Sequence, residues 1–232
     1  FPSAGRINTF GFEPARRSPA YLSQLFYLSE NLNLPGVTGT EFVSVRAPFY
    51  ANFDHAHLSR CLNAFDISAT KRLTALSHGQ QKKFFLSFGL ACNASLLMLD
   101  EPTNGLDIPS KAIFRRMVAE SLNDDQIFVV STHQVHDVQA LIDSIVMLYQ
   151  GSVLFNRGVS EVTDKLRVSH TNHPPEQSSD LLYSEATVGG YANLWTHAGE
   201  SNGALDLELL FNAVINSPNT YKNIFAGEST HE

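Results

Sequence analysis

The sequence predicts an α/β protein: a parallel sheet flanked by helices, with a helical subdomain and a small α+β extension at the C-terminal end. Residues 96–99 and 126–130 are continuous apolar runs, which is typical of parallel strands buried on both faces. Residues 109–122 between them have a helical pattern. Strand, helix and strand therefore form a βαβ unit, whose ligands bind beyond the carboxyl ends of the strands.

The composition fits one main domain with an extension. The chain has 232 residues, of which 43% are hydrophobic and 17% charged, and single domains usually have about 100–200 residues. The net charge of −7 disfavours nucleic acid as a partner, because no basic field is present to neutralise a phosphate backbone. No apolar run approaches the roughly 20 residues of a membrane span, so any work on a membrane is expected to need another chain.

The first part of the chain predicts strands and then short helices. Residues 6–10 favour a short strand and residues 25–28 a second one, followed by a loop over residues 31–39. Residues 42–67 mix aromatic and polar side chains at helical spacing and are interrupted by Pro48. We therefore expect a helical subdomain at about residues 38–75.

The last part predicts a hairpin, a linker and an extension. Residues 144–149 and 152–155 form the expected hairpin, which closes a main domain over residues 1–160. Residues 161–180 are predicted to be a linker, rich in His, Pro and Ser from residue 169. Residues 181–232 are predicted to contain paired strands at 181–196 and an amphipathic helix at 206–215.

Two carboxylates follow the first buried strand. Asp100 and Glu101 lie where a strand of a βαβ unit ends. Mg²⁺ prefers oxygen ligands and is usually held by one or two carboxylates together with substrate phosphates, which makes Asp100 the candidate metal ligand. Glu101 is the candidate base that orients a water for attack on phosphorus. Alternatively, the two acids cap the following loop.

Two further segments offer groups that could bind phosphate. Ser77 and Gln80 have capping-box spacing before a helical stretch, and helix N-termini bind anions. Gly79 between them would let a phosphate approach the backbone closely. His133 follows the second buried strand and could hydrogen-bond a phosphate or a water. An ordinary capped helix and a structural histidine are the alternatives.

The order and spacing of these segments resemble a known family. Leu-Ser-His-Gly-Gln at 76–80, Leu-Asp-Glu-Pro-Thr-Asn-Gly-Leu-Asp at 99–107 and Ser-Thr-His-Gln at 131–134 are similar to the signature, Walker B, D-loop and switch histidine of ATP-binding-cassette ATPases. The resemblance covers residues 5–158, with Glu30 at the position of the Q-loop. It implies a P-loop NTPase-like core with ATP and Mg²⁺ as cofactors.

The resemblance also assigns roles. Asp100 and Glu30 would face Mg²⁺, while Glu101 and His133 would act on the nucleotide of their own domain. Asp107 would connect the two sites of a head-to-tail pair of domains. The residues that would bind the nucleotide held by the partner domain are those of the signature: Ser77, His78, Gly79 and Gln80.

The sequence departs from the family in three ways. Glu30 replaces the usual glutamine, and His78 replaces the first glycine of the signature pair. No Gly-Lys pair occurs in the 232 residues, whereas the family carries a Gly-x-x-x-x-Gly-Lys-Ser/Thr loop before these motifs. Residues 2–11 resemble the stretch after the helix that follows this loop. We expect an N-terminal truncation and a chain that alone is inactive.

The resemblance implies the ATP-hydrolysing subunit of a transporter, working with a second nucleotide-binding domain and a transmembrane permease. It would be cytoplasmic and peripheral on the cytoplasmic face of the membrane, in keeping with two distant cysteines, Cys61 and Cys92, predicted to be buried free thiols. The alternative is a catalytically silent module that completes a partner's ATP site, although Asp100 and Glu101 argue against it. A soluble cassette protein acting on ribosomes or DNA is disfavoured by the charge.

Overall fold

The computed structural model describes residues 4–121, 123–196 and 205–226. The stretch expected to follow the phosphate loop covers residues 2–11, and residues 2 and 3 lie outside the described ranges. The chain divides into two compact units, Phe1–Asp137 and Val138–Glu232. The boundary between these units comes earlier in the chain than residue 160, where the sequence analysis placed the end of the main domain. Within the described ranges, no helix is both long enough and apolar enough to cross a bilayer.

The first unit is built on a three-stranded parallel sheet in the order β1-β2-β3. The strands are β1 (Leu25–Leu28), β2 (Leu96–Asp100) and β3 (Ile127–Ser131). Leu28 aligns with Leu99, and Asp100 aligns with Ser131, so the carboxyl ends of the strands meet at one edge. The parallel βαβ unit that the sequence predicts is confirmed.

The third strand is less buried than the sequence predicts. β2 is mostly buried, but β3 alternates between exposed and half-buried positions. Ile127 is 49% exposed and Val129 is 41% exposed. The prediction that β3 is buried on both faces is therefore wrong for the described residues. An apolar run identifies the strand without showing how many layers cover it.

One long helix supplies much of the core of this unit. This helix, α4, spans His78–Ala91 and is buried from Phe84 to its end. Phe88 is 2% exposed, and its ring centroid lies 5.1–6.2 Å from those of four aromatic residues. These are Phe26, Phe42, Tyr50 and Phe53. Burying one phenylalanine side chain stabilises a fold by about 1.5–3 kcal/mol, so the cluster ties α4 firmly to β1 and the helical subdomain.

The helical subdomain has the short helices that were predicted. The helices of the first unit are α1 (Pro19–Leu22), α2 (Gly39–Arg46), α3 (His55–Ala64), α4 and α5 (Ile108–Ser121). Thr38 and Glu41 form a capping box that starts α2.

The predicted strand at residues 6–10 is wrong, because Thr9 forms only an isolated bridge with Phe12. A lone hairpin of this length has too few partners to become a strand pair.

In its described residues, the second unit contains a hairpin, a three-stranded sheet and three α-helices. Its elements are β4 (Ser144–Tyr149), β5 (Ser152–Gly158), α6 (Val159–Lys165), β6 (Leu166–Thr171), β7 (Leu181–Thr187), β8 (Gly190–Thr196), α7 (Leu207–Asn216) and α8 (Pro218–Phe225). The antiparallel sheet has the order β6-β8-β7. The predicted hairpin, paired strands and amphipathic helix α7 are confirmed.

The linker expected at residues 161–180 differs from the structure in its first part. Residues 161–171 belong to α6 and β6. The indole N–H of Trp195 donates to the hydroxyl of Ser169 at 2.8 Å, and Ser169 is buried. Polar residues in this segment thus satisfy groups inside the sheet, which their composition alone does not reveal.

Candidate functional site

The carboxyl edge of the sheet brings together two acids with separate partners. Asp100 Oδ1 accepts a hydrogen bond from the Ser131 hydroxyl at 2.7 Å. The backbone of Glu101 takes a left-handed conformation with φ of 45° and donates to the Ser131 carbonyl at 2.8 Å. A non-glycine residue in this region costs about 1 kcal/mol or more. The turn after β2 is therefore fixed by its contact with β3.

The side chain of Glu101 is held by the end of β3. Its Oε1 accepts the His133 backbone N–H at 2.8 Å and lies 2.7 Å from His133 Nδ1, which donates when it carries the proton. Its Oε2 accepts the Thr132 hydroxyl at 2.9 Å. The Glu101 side chain is 14% exposed and that of His133 is 71% exposed. The pair thus presents an imidazole to solvent and a carboxylate behind it.

These contacts control the charge of Glu101. Burial by itself would raise the pKa of Glu101, but the hydrogen bonds from His133 and Thr132 outweigh it and lower the pKa. The carboxylate is therefore ionised at neutral pH and only accepts hydrogen bonds. A negative acceptor beside a solvent-facing imidazole can orient a water molecule or bind a donor.

Glu30 lies just beyond the end of β1 at the same edge. Its Oε1 accepts a hydrogen bond from the Asn104 side chain at 2.8 Å. Lys82 of α4 donates to the Glu30 backbone carbonyl at 3.4 Å. Burial lowers the pKa of Lys82, while the carboxylates of Glu30, Asp100 and Glu101 oppose that effect. The buried amine thus lies within electrostatic range of three acids.

The signature residues form a second group at the start of α4. The Ser77 hydroxyl accepts from Gln80 N at 3.3 Å, and Ser77 N donates to Gln80 Oε1 at 3.1 Å, which confirms the capping box. A Cβ added to Gly79 would lie 3.0 Å from the Gly105 carbonyl. A Cβ on Gly105 would lie 3.2 Å from the His78 ring. The start of α4 is thus packed tightly against the turn at Gly105.

Asp107 connects that turn to two helices. Its Oδ1 accepts from Ser110 N at 2.8 Å at the start of α5, and its Oδ2 lies 3.5 Å from Lys83 Nζ of α4. The hydrogen bonds from Ser110 lower the pKa of Asp107. The side chain is 62% exposed, so it remains open to a partner.

An ion pair fixes the segment that carries His133. Lys111 Nζ of α5 lies 2.7 Å from Asp137 Oδ2 and donates to Gln134 Oε1 at 2.8 Å. Gln134 N in turn donates to the Thr132 hydroxyl at 2.9 Å. We call residues 131–137 the switch segment. The contacts run from α5 through this segment to Glu101.

The predicted site residues therefore form two separate groups in the structure. Asp100, Glu101 and His133 meet at the sheet edge, and Glu30 approaches it from β1. The signature residues and Asp107 instead surround the Gly105 turn. The roles of Lys82 and of the Lys111–Asp137 pair were not predicted from the sequence. A signal for Lys82 existed, because it precedes Leu86 by four residues and Gly89 by seven, on a buried helical face.

The donor groups at the sheet edge fit Mg²⁺ and a phosphate ligand. Asp100 and Glu30 offer hard oxygen atoms, and Mg²⁺ is commonly bound by one or two carboxylates together with substrate phosphates. The start of α4 offers backbone N–H groups beside Gly79. In the part of the chain that the structure describes, no three His, Cys, Asp or Glu side chains cluster as a metal site.

Comparison with known proteins finds a similar family for the first part of the chain. Residues 2–104 match the family model described as ABC transporter. This part of the chain is similar to the nucleotide-binding domain of ATP-binding-cassette (ABC) proteins. The solved structure titled "Structure of ATP binding subunit of ABC transporter" superposes with a TM-score of 0.62 at 23% identity, over 69% of this chain and 70% of that one. The α/β core thus has the P-loop NTPase-like fold of ABC ATPases.

Two relatives show how much of an ABC protein the chain represents. It is 32% identical to the ABC transporter ATP-binding protein NatA of Bacillus subtilis (strain 168), over 49% of this chain and 42% of NatA. It is 27% identical to the phosphonates import ATP-binding protein PhnC of Wolinella succinogenes, over 82% of this chain and 76% of PhnC. The chain thus spans less than half of NatA and three quarters of PhnC.

Proposed function

We propose that this chain is part of the ATP-binding and ATP-hydrolysing subunit of an ABC transporter, which energises transport through a separate membrane subunit. The observation that carries the proposal is the joint placement of Asp100, Glu101 and His133 at the sheet edge of an ABC fold. A carboxylate that accepts three donors and faces an exposed imidazole is suited to phosphoryl transfer, which depends on positioning and charge.

The residues of this edge would act on a nucleotide in distinct ways. Asp100 and Glu30 would hold Mg²⁺. ATP and Mg²⁺, when bound, supply the transferred phosphoryl group and neutralise its charge. Glu101 orients the attacking water, and its lowered pKa favours this role over removing a proton at neutral pH. His133 donates from its exposed ring to a phosphate oxygen or to the same water.

The remaining site residues would serve a second nucleotide-binding domain. Ser77, His78, Gly79 and Gln80 would contact the nucleotide of the partner domain through the start of α4. Asp107, which is 62% exposed, would connect the paired sites. The subunit would lie on the cytoplasmic face of the membrane, bound to a transmembrane permease. The family resemblance supports the permease and the membrane location, and the exposed side chain of Asp107 supports the pairing of two domains.

ATP hydrolysis by the natural polypeptide that carries this sequence tests the proposal. Glu101→Gln keeps the shape of the side chain but removes its charge, and we expect it to lower kcat by about 100-fold or more. Asp124→Asn is the matched control, because Asp124 is an exposed carboxylate in the turn before β3. The control is expected to hydrolyse ATP at the wild-type rate.

The outcomes separate the two functional hypotheses. Turnover that is lost in Glu101→Gln and kept in Asp124→Asn supports the ATPase. A wild-type polypeptide that binds Mg-ATP without hydrolysing it, with or without its membrane partner, contradicts the proposal. That result would favour the silent module that completes a partner's site.

A further inference from the structure

One buried charge has no role in the proposed reaction. Among the described residues, Lys82 is the one Lys, Arg, Asp or Glu in the buried class, and none of its surface is exposed. Lysine is almost never fully buried unless it is paired, because removing an ammonium group from water is costly. Lys82 therefore needs an explanation beyond the packing of α4.

The contacts of Lys82 point toward the sheet edge. An ammonium group has three N–H donors, and one of them reaches the Glu30 backbone carbonyl at 3.4 Å, a long hydrogen bond. The amine also interacts electrostatically with the carboxylates of Glu30, Asp100 and Glu101. These acids come from the ends of two neighbouring strands, β1 and β2.

The carboxylate of Glu30 and the buried ammonium of Lys82 each change the cost of burying the other. A neutral amide at residue 30 would leave the buried ammonium with one acidic neighbour fewer, and an acid at residue 30 without Lys82 would add to the repulsion among three carboxylates. Asn104 donates to the Glu30 carboxylate at 2.8 Å, while Lys82 donates to the Glu30 backbone carbonyl, so the side chain and the backbone of residue 30 each have a donor. Each of the two charges offsets the cost of the other.

We propose that Lys82 is a positioning residue that acts as the internal counter-charge of Glu30. It fixes the segment after β1 to the signature helix α4 and limits the negative charge that meets a divalent cation at the sheet edge. The inference depends on the proposed function only where Glu30 is treated as a ligand of that cation.

A double-mutant cycle tests the pairing without nucleotide. Lys82→Met, Glu30→Gln and the double variant are made in the natural polypeptide, and hydrogen exchange is followed in peptides from residues 25–31 and 78–91. If the charges are coupled, Glu30→Gln changes the opening equilibrium about tenfold more in the wild type than in Lys82→Met. Lys83→Met and Asp107→Asn form the control cycle, because Asp107 is 62% exposed.

A second measurement separates positioning from packing. Mn²⁺ binding in the absence of nucleotide is compared for the wild type, Lys82→Met and Lys82→Arg. The ammonium of Lys82 repels Mn²⁺, so Lys82→Met is expected to tighten Mn²⁺ binding about fivefold. Lys82→Arg keeps the positive charge and should keep the wild-type affinity. A packing role would not produce this difference between methionine and arginine.

Additive effects of Lys82→Met and Glu30→Gln, or equal coupling in the control cycle, overturn the inference. So does an Mn²⁺ affinity that is unchanged in Lys82→Met. A polypeptide that shows the coupling and does not hydrolyse ATP would contradict the proposed function and leave the charge pairing standing, so the two failures are distinguishable.

Discussion

Replacing Lys111 by methionine tests whether its ion pair with Asp137 holds the switch segment in place. Lys111 Nζ contacts Asp137 Oδ2 at 2.7 Å and Gln134 Oε1 at 2.8 Å. Methionine preserves most of the apolar stem of lysine, so the substitution removes the charge and the donors with little change in shape. The segment that carries His133 then loses its closest contacts with α5, and the longer contact of Arg115 with Asp137 remains.

The expected size of the effect follows from burial. An exposed ion pair contributes about 0–1 kcal/mol, whereas a hydrogen bond to a charged group contributes about 1.5–3 kcal/mol. The side chains of Lys111 and Asp137 are only 23% and 15% exposed, and Arg115 remains 4.0 Å from Asp137 Oδ1 as a second cation. We expect the free energy of opening the switch segment to fall by about 2 kcal/mol, or about thirtyfold in the equilibrium.

Hydrogen exchange measured by mass spectrometry reports this directly. The His133 and Gln134 amides donate to Glu101 and Thr132, so peptides covering residues 131–137 should exchange faster in Lys111→Met. Arg116→Met is the control on the same helix, because its pair with Glu120 is 4.0 Å long and mostly exposed. Unchanged exchange in Lys111→Met, or equal acceleration in Arg116→Met, would refute the reasoning.

Three further outcomes follow from the structure. Phe88→Ala should destabilise the first unit by about 3–5 kcal/mol in hydrogen exchange of α4, because it empties the centre of the aromatic cluster; a loss below about 1 kcal/mol would contradict that. The ionised carboxylate of Glu101 should contribute fully to the free energy of unfolding above about pH 4.5, and this contribution should disappear as the pH falls through the lowered pKa of Glu101. In urea titrations at acid pH, the free energies of unfolding of the wild type and Glu101→Gln should therefore converge. Cys61 and Cys92 are free and buried, as predicted, and burial raises the pKa of Cys61 to about 12; a thiol reagent should therefore label the native protein at least about 100-fold more slowly than the urea-unfolded chain, and equal rates would disprove this.

Local patterns accounted for most of the elements around the site. The Ser77–Gln80 spacing predicted the start of α4, and the apolar run before Asp100 predicted β2, because capping and strand burial are encoded within a few residues. The same patterns placed His133 at the end of β3. Whether Glu101 would turn toward that histidine depends on its left-handed backbone, which the sequence does not show.

What sequence reasoning missed depends on contacts between distant segments. Lys82 has the spacing of the buried face of α4, but lysine is usually exposed, so its burial depends on the packing of α4 against the rest of the unit. The pair of Lys111 with Asp137 joins residues on separate elements, so no local spacing identifies it. The strand at residues 166–171 was hidden by polar residues that satisfy one another inside a sheet.

The half-exposed third strand of the first unit has a practical consequence for handling the protein. In the described residues β3 pairs with β2 alone, so the N–H and C=O groups along its other side have no strand partner. An open strand edge flanked by exposed Ile127 and Val129 is a template for adding a strand from another molecule. Preparations of this chain should therefore form oligomers as concentration rises, and a charged substitution such as Val129→Lys should suppress them.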